Sequence, residues 1–191
     1  MMDIRRLFFK YRSYTPIPLI LVALYLARPT VLSFFSGLVL IGLGEGLRFW
    51  GVLYAGSATR TTGEAGACRL VTDGPFAFMR NPLYTGNFFL GLGMTVMGWA
   101  WMPWMAAVFL IFFWIQYSQI VALEEEFLLK RFGDMYEHYR RDVPRWYFRI
   151  HPYVGKERSD PKFLKALKSE RNTLQAIASI VVLILIRWHF R

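Results

Sequence analysis

Two polar segments of this 191-residue chain contain residue types and spacings that could bind a charged small molecule. In the first, residues 70–84, Asp73–Gly74–Pro75 predicts a turn and Pro82 predicts the first turn of a helix. Arg80 and Asn81 then lie at a helix amino terminus, where backbone N–H groups and a side-chain amide can hold a polar ligand. Helix capping by Asn81, with Arg80 extending to the membrane surface, explains the same residues without a ligand.

The second segment consists of three consecutive carboxylates, Glu124, Glu125 and Glu126. Successive residues of a helix point about 100° apart, so these three cannot all face one partner. We expect at least one of them to turn toward the helix bundle, where a carboxylate is stable only beside a cation. A carboxylate pair facing an open pocket suits a small cationic ligand, and a solvated acidic collar at the membrane edge is the alternative.

The composition predicts an integral membrane protein. Hydrophobic residues make up 55% of the chain and charged residues 19%, which is more apolar material than one small globule can bury. The excess of 23 basic over 13 acidic residues fits an anionic membrane surface better than nucleic acid. A single cysteine and three scattered histidines predict neither an internal disulfide nor a Cys/His metal site.

Five apolar stretches are candidates for membrane crossing, since a bilayer core needs about 20 mostly apolar residues per helix. Glu45 and Arg48 lie inside the second stretch, three residues apart, where they can neutralise each other. Gly42, Gly44 and Gly46 beside them permit close approach of another helix or of a ligand, and helix packing is sufficient to explain them. The stretches are residues 15–27, which are short enough to form a re-entrant hairpin instead, 31–55, 83–101, 104–123 with a tight turn before it at residues 102–103, and 174–190.

Basic residues in the connections predict the orientation. They are concentrated in residues 1–14, 56–82 and 124–172, whereas only Arg28 lies between the first two spans. We therefore expect these three segments to be cytoplasmic and the carboxyl terminus to lie outside. No small-residue cleavage site follows the first apolar run, so no cleavable signal peptide is expected.

The predicted fold class is all-α. We expect a polytopic transmembrane helix bundle of about five spans, in a single domain over residues 1–191. Residues 124–140 predict a helix that extends the fourth span into the cytoplasm, because their apolar positions recur at helical spacing. Residues 160–170 form a basic amphipathic stretch and predict an interfacial connector into the last span.

Two motifs, LVTDGPFAFMRNPLYTGNFFLGLG and EEEFLLKRFGDMYEHYRRDVPRW, each stand beside a predicted span. Together they resemble the isoprenylcysteine carboxyl methyltransferase and phospholipid methyltransferase superfamily of integral membrane enzymes. The resemblance covers about residues 36–148 and is greatest to the small bacterial branch, which often has Asn where eukaryotic enzymes have His in an Arg-His-Pro motif. Asn81 occupies that place. The resemblance implies methyl transfer dependent on S-adenosyl-L-methionine, at the cytoplasmic face of a bacterial inner membrane.

The resemblance also implies which residues bind the cofactor. Glu124, with Glu125 beside it, would receive the ammonium group of the cofactor. Phe76 and Tyr84 would flank its adenine or its sulfonium. The full set implied is Cys68, Arg69, Leu70, Val71, Phe76, Asn81, Pro82, Leu83, Tyr84, Glu124 and Glu125. No catalytic residue is assigned, because no obvious general base apart from these carboxylates and Tyr84 lies in the motifs.

One position departs from the prenylcysteine enzymes of the superfamily. Where those enzymes have an Arg one turn before the carboxylate pair, facing the substrate carboxylate, this chain has Ile120, flanked by Gln116 and Gln119. Arg48 or Arg80 could substitute as a substrate-binding cation. The acceptor expected is therefore a lipid or small hydrophobic molecule, a carboxylate or an amine, that comes from the bilayer.

Two other functions are compatible with the pattern. One is a nicotinamide-dependent enzyme similar to the sterol reductases, which share a related membrane fold but are usually much longer. The other is a non-enzymatic membrane scaffold in which Glu124–Glu126 is the solvated collar. No oligomeric state is predicted.

Overall fold

All regular structure in the described part of the chain is helical, as predicted. The computed structural model describes residues 9, 11–12, 14–56, 69–155 and 159–190. Its helices are α1 (Ile17–Tyr25), α2 (Val31–Ala55), α3 (Pro82–Gly98), α4 (Trp104–Phe132), α5 (Asp134–Asp142) and α6 (Phe163–His189), with a short 3₁₀ helix (Gly74–Ala77) before α3.

Three helices of the described residues, α2, α4 and α6, are long and apolar enough to cross a membrane. In the most apolar stretch of each, 22%, 28% and 6% of the residues are buried inside the protein, so most side chains there face outward, where lipid would solvate them. The shorter α1 and α3 have 9 and 17 residues. The helices agree with an integral membrane protein and are loosely consistent with about five spans.

Two helix boundaries differ from the sequence prediction. The extension of the fourth span is continuous only to Phe132, because Gly133 adopts a φ of 52°, a left-handed conformation that a glycine reaches without a Cβ clash. Residues 160–170 are not a separate connector, since α6 runs unbroken from Phe163. Ala166 and Glu170, one turn apart on α6, are both buried, so this part of the helix is stabilised by tertiary packing.

The chain forms two compact units. The first comprises Met1–Glu45, Asn87–Ile120 and Asn172–Arg191, and its core contains Ile41, Leu90, Met97 and Ile184. Gln116 of α4 is fully buried here, and its amide bonds to the chain before α1, accepting from the Thr15 hydroxyl at 2.9 Å and donating to the Arg12 carbonyl at 3.3 Å. The turn between α3 and α4 carries three exposed tryptophans, Trp99, Trp101 and Trp104, as expected at a membrane interface.

Close helix packing in this unit occurs at glycines other than the ones the sequence suggested. A Cβ added to Gly37 of α2 would lie 2.6 Å from the carbonyl oxygen of Gly93 and 2.6 Å from Cβ of Met97, both on α3. Nothing lies within 4 Å of the corresponding positions at Gly42 and Gly46, so the prediction of close helix packing at these two glycines is wrong, while close approach of a ligand there stays a prediction.

The second unit comprises Gly46–Gly86 and Val121–Arg171. Its apolar core is formed by Leu70, Tyr136, Tyr139 and Val143. At another point of the unit, Nη2 of Arg48 on α2 lies 2.7 Å from Oε2 of Glu170 on α6, and the Glu170 side chain is fully buried. Glu170 is a partner of Arg48 outside α2 that the sequence did not suggest, and the pairing of Arg48 with Glu45 stays a prediction.

We predict that Gly37→Ala destabilises the protein by about 1–3 kcal/mol, because the added methyl group overpacks the α2–α3 contact. Gly42→Ala is the matched control. It adds the same methyl group on the same helix in open space and should leave stability unchanged or raise it by up to about 1 kcal/mol. Unfolding of the detergent-solubilised variants measures both effects, and equal stabilities would contradict the packing described.

Candidate functional site

The first polar segment, residues 70–84, is hydrogen-bonded to the chain that follows α5, and both belong to the second unit. The backbone N–H of Arg80 donates to the Pro144 carbonyl at 2.9 Å, and that of Tyr153 donates to the Ala77 carbonyl at 2.9 Å. The Asn81 side-chain amide donates to the Arg145 carbonyl at 3.2 Å. Asn81 therefore joins two segments that are 64 residues apart in sequence.

The turn predicted at Asp73–Gly74–Pro75 is confirmed by the 3₁₀ helix that starts at Gly74. Gly74 has a φ of 57°, and a Cβ there would lie 2.4 Å from the ring of Tyr54, so both backbone conformation and space require glycine. The Asp73 carboxylate accepts hydrogen bonds from the backbone N–H and, at 2.6 Å, the hydroxyl of Ser159. Pro82 is the first residue of α3, as the sequence predicts.

Glu125 is the buried carboxylate that the sequence predicts beside a cation, and it has two cationic partners. Nη1 of Arg80 lies 3.3 Å from Oε1 of Glu125. The Arg145 guanidinium makes a bidentate contact, through Nε at 3.1 Å from Oε1 and through Nη2 to Oε2. Charge-assisted contacts of this kind offset the desolvation of a carboxylate that is only 7% exposed.

Two tyrosines of α5 pack close to these charges. Burial raises the pKa of Tyr136 to about 12, the negative charge of Glu125 contributes to the increase, and a hydrogen bond from Arg80 partly opposes it. The Tyr139 hydroxyl donates to the Phe76 carbonyl at 2.7 Å, and burial also raises the pKa of Tyr139. Both phenols are therefore protonated and neutral at physiological pH.

Glu124 has different surroundings from Glu125, as the helical rotation between them requires. The hydroxyl of Tyr84 donates to Oε1 of Glu124 at 2.6 Å. Tyr84 is the third residue of α3, so the Glu124 carboxylate lies near a helix amino terminus whose first N–H groups have no partner within the helix. Glu126 is exposed to solvent.

The remaining residues implied by the resemblance have several environments. Leu70 and Pro82 are buried, and Val71, Phe76 and Leu83 are half-buried. The Arg69 guanidinium donates to the Tyr54 carbonyl at 3.5 Å. Cys68 lies outside the described residues. Of the two arginines suggested for substrate, Arg80 belongs to the Glu125 cluster and Arg48 pairs with Glu170.

Sequence reasoning did not identify Arg145 as part of this site. It follows Val143–Pro144 in a segment with many other basic residues, and nothing in its sequence context distinguishes it from them. The available signal was indirect, because a carboxylate predicted to be buried needs a cation, and Arg145 is the last basic residue of the second motif.

Comparison with known proteins assigns the chain to a family. The model of the family described as phospholipid methyltransferase matches residues 32–135, slightly more than half of the 191 residues. The protein-S-isoprenylcysteine O-methyltransferase of Schizosaccharomyces pombe is 39% identical over 75 residues, 39% of this chain and 31% of that protein. The cobalt-zinc-cadmium resistance protein CzcN of Cupriavidus metallidurans is 31% identical over 121 residues, 62% of this chain and 50% of that protein.

The chain is also similar to a plant protein. Protein-S-isoprenylcysteine O-methyltransferase B of Arabidopsis thaliana is 32% identical over 111 residues, 56% of this chain and 55% of that protein. The chain thus spans between 31% and 55% of the length of these three relatives. No solved structure matches the chain.

The raised pKa of Tyr136 predicts a loss of stability in alkali. The folded protein keeps the phenol proton up to about pH 12, whereas the unfolded chain releases it above pH 10, so this contribution is complete below pH 10 and is lost between pH 10 and 12. The loss should approach about 2–3 kcal/mol. Unfolding measured at pH 9 and at pH 11 should show a steeper decline for wild type than for Tyr136→Phe, and parallel declines would contradict the burial of a neutral phenol beside Glu125.

Proposed function

The chain belongs to the phospholipid methyltransferase family, and on that premise we propose that it is an S-adenosyl-L-methionine-dependent membrane methyltransferase that methylates a lipid or small hydrophobic acceptor. The observation that carries the proposal is the hydrogen bond between Tyr84 and Glu124, a carboxylate beside the amino end of α3. Family membership favours this function over the reductase and the scaffold.

The residues around Glu124 fit the charges of the cofactor. When bound, S-adenosyl-L-methionine supplies a methyl group activated by a sulfonium, and it also carries an ammonium and a carboxylate. We assign the ammonium to Glu124, because an ionised carboxylate is the strongest acceptor available for it. The N–H groups of Leu83 and Tyr84, in the first turn of α3, are donors for the cofactor carboxylate.

The other implied positions take more limited roles in this proposal. Phe76 and Tyr84 are half-buried and can flank the adenine or the sulfonium. Leu70 packs in the apolar core, so we assign it and its neighbours Arg69 and Val71 to contacts with the adenosine end through backbone atoms. Asn81 and Pro82 define the start of α3. Glu125 is engaged by two arginines, so we assign the ammonium to Glu124 alone.

Methyl transfer requires the protein to position the two reactants rather than to supply a general base. A bond forms between the acceptor atom and the methyl carbon while the bond from that carbon to sulfur breaks, with the electron pair left on sulfur. A carboxylate acceptor reacts as the anion and transfers no proton, whereas an amine acceptor releases one to water. Tyr136 and Tyr139 are protonated and do not act as bases, which leaves orientation and exclusion of water as the contributions of the protein.

We place the acceptor in the membrane. Two of the relatives described above are named for isoprenylcysteine O-methylation. In this chain the position at which the resemblance implies a substrate-facing Arg is Ile120, which is fully buried. A lipid or small hydrophobic acceptor from the bilayer is therefore favoured over a prenylated protein. The basic segments 56–82 and 124–172 support a site on the cytoplasmic face, and the resemblance to the bacterial branch supports a bacterial inner membrane.

The proposal predicts that S-adenosylhomocysteine binds the detergent-purified protein and that Glu124→Ala weakens this binding at least tenfold, the loss expected for one charge-assisted contact of about 1.5–3 kcal/mol. Tyr84→Phe, which removes only the hydroxyl that orients Glu124, should have a smaller effect. Glu126→Ala is the matched control, since it removes an exposed carboxylate two residues away on the same helix. Isothermal titration calorimetry measures all three.

Two results would contradict the proposal in different ways. Unchanged affinity in Glu124→Ala would remove Glu124 from the cofactor site. A rise in unfolding temperature with a nicotinamide dinucleotide phosphate, and none with S-adenosylhomocysteine, would favour the reductase.

A further inference from the structure

The cluster of Arg80, Glu125 and Arg145 carries an excess of positive charge. Two guanidiniums face one carboxylate, and the neighbouring Tyr136 is neutral, so these groups sum to one positive charge. The Arg80 and Glu125 side chains are 12% and 8% exposed, so water screens this charge only in part. A partly buried, unbalanced charge is costly unless an anion joins it.

Two features of the arginines make the cluster suitable for an external ligand. Nε of Arg80 is buried and has no hydrogen-bond partner among the residues that the structure describes. The Arg145 side chain is 41% exposed, although the carboxylate that holds it is buried. Its bidentate contact with Glu125 uses one edge of the guanidinium, and the other edge carries further N–H donors.

The cluster also adjoins the residues assigned to the cofactor. Glu125 follows Glu124 directly, and Arg80 immediately precedes Asn81. The carbonyl of Arg145 accepts the hydrogen bond from Asn81, which fixes the backbone of Arg145 at the start of α3. All of these residues belong to the second unit.

We propose that Arg145 binds an anionic oxygen group of the methyl acceptor, a carboxylate or a phosphate, and that Glu125 is the positioning residue that holds Arg145 for this contact. The inference rests on the proposed function. The net positive charge of S-adenosyl-L-methionine is offset by the Glu124 carboxylate assigned to it, and the cluster carries one further positive charge. An anionic acceptor is attracted by the charge of the cluster, whereas a neutral acceptor gains nothing from it. Arg145 thereby supplies a cation that the position of Ile120 cannot supply.

The test compares three eight-carbon probes that differ only in their head group: octanoate, octyl phosphate and octanol. Binding to the full-length protein in a non-ionic detergent is measured from the rise in unfolding temperature with probe concentration, with S-adenosylhomocysteine present and absent. The variants are Arg145→Gln, Arg145→Lys and Glu125→Gln. Arg141→Gln is the matched control, because Arg141 is 70% exposed and pairs with Glu137 on α5.

For wild type and the control, at least one anionic probe should bind about tenfold or more tightly than octanol, as expected for a charge-assisted contact. Arg145→Gln should abolish this preference and leave the affinity for S-adenosylhomocysteine within about twofold. Arg145→Lys keeps the charge beside Glu125 but not the fork of donors, so it should keep the fold and part of the preference. Glu125→Gln raises the positive charge of the cluster but releases Arg145, so a weaker preference in this variant is the result expected if the orientation of Arg145 matters more than charge alone. The anion that binds more tightly identifies the head group as carboxylate or phosphate.

Several results would overturn the inference. The first is equal binding of all three probes to wild type, and the second is a preference for anions that survives in Arg145→Gln. The third is a tenfold loss of S-adenosylhomocysteine affinity in Arg145→Gln, which would mean that Arg145 binds the cofactor carboxylate instead. Failure of wild type to bind S-adenosylhomocysteine refutes the proposed function instead, and it is distinguishable because probe binding is measured separately.

Discussion

The ion cluster around Glu125 is the contact on which the candidate site depends. It joins three parts of the second unit: the residue before Asn81 at the start of α3, the carboxyl-terminal part of α4 and the segment after α5. Removing Glu125 would leave the mostly buried Arg80 guanidinium without this counterion, and breaking a buried pair in this way costs about 3–5 kcal/mol. The contact that compensates these charges also fixes the geometry of the site.

The cluster also explains how adjacent carboxylates can have different roles. The rotation of about 100° between neighbouring residues of a helix turns Glu125 toward two arginines and Glu124 toward the hydroxyl of Tyr84. A single peptide bond separates Glu124 and Glu125 on α4, yet the first carboxylate contacts a tyrosine hydroxyl and the second contacts two guanidiniums.

Local signals in the sequence predicted the parts of the fold that depend on neighbouring residues. The bounds of α2, the turn at Gly74 and the start of α3 at Pro82 agree with the prediction, because hydropathy and the conformations of glycine and proline act over a few residues. The contact of Gly37 with Gly93 and the pairing of Arg48 with Glu170 were not predicted. Each joins residues far apart in the chain, and nothing next to either partner identifies the other.

The same limit applies to the residues of the site and bears on which acceptor they suit. The resemblance implied a substrate-binding cation at the position of Ile120. In this chain Ile120 is buried, and its neighbour Gln116 forms hydrogen bonds with the chain before α1. The positive charge lies instead on Arg145, where it depends on Glu125 for its orientation and on Asn81 for its backbone position. Recognition of an anion requires only that a guanidinium reach it with the right orientation, so the helix or loop that carries the arginine can differ between relatives that share one fold.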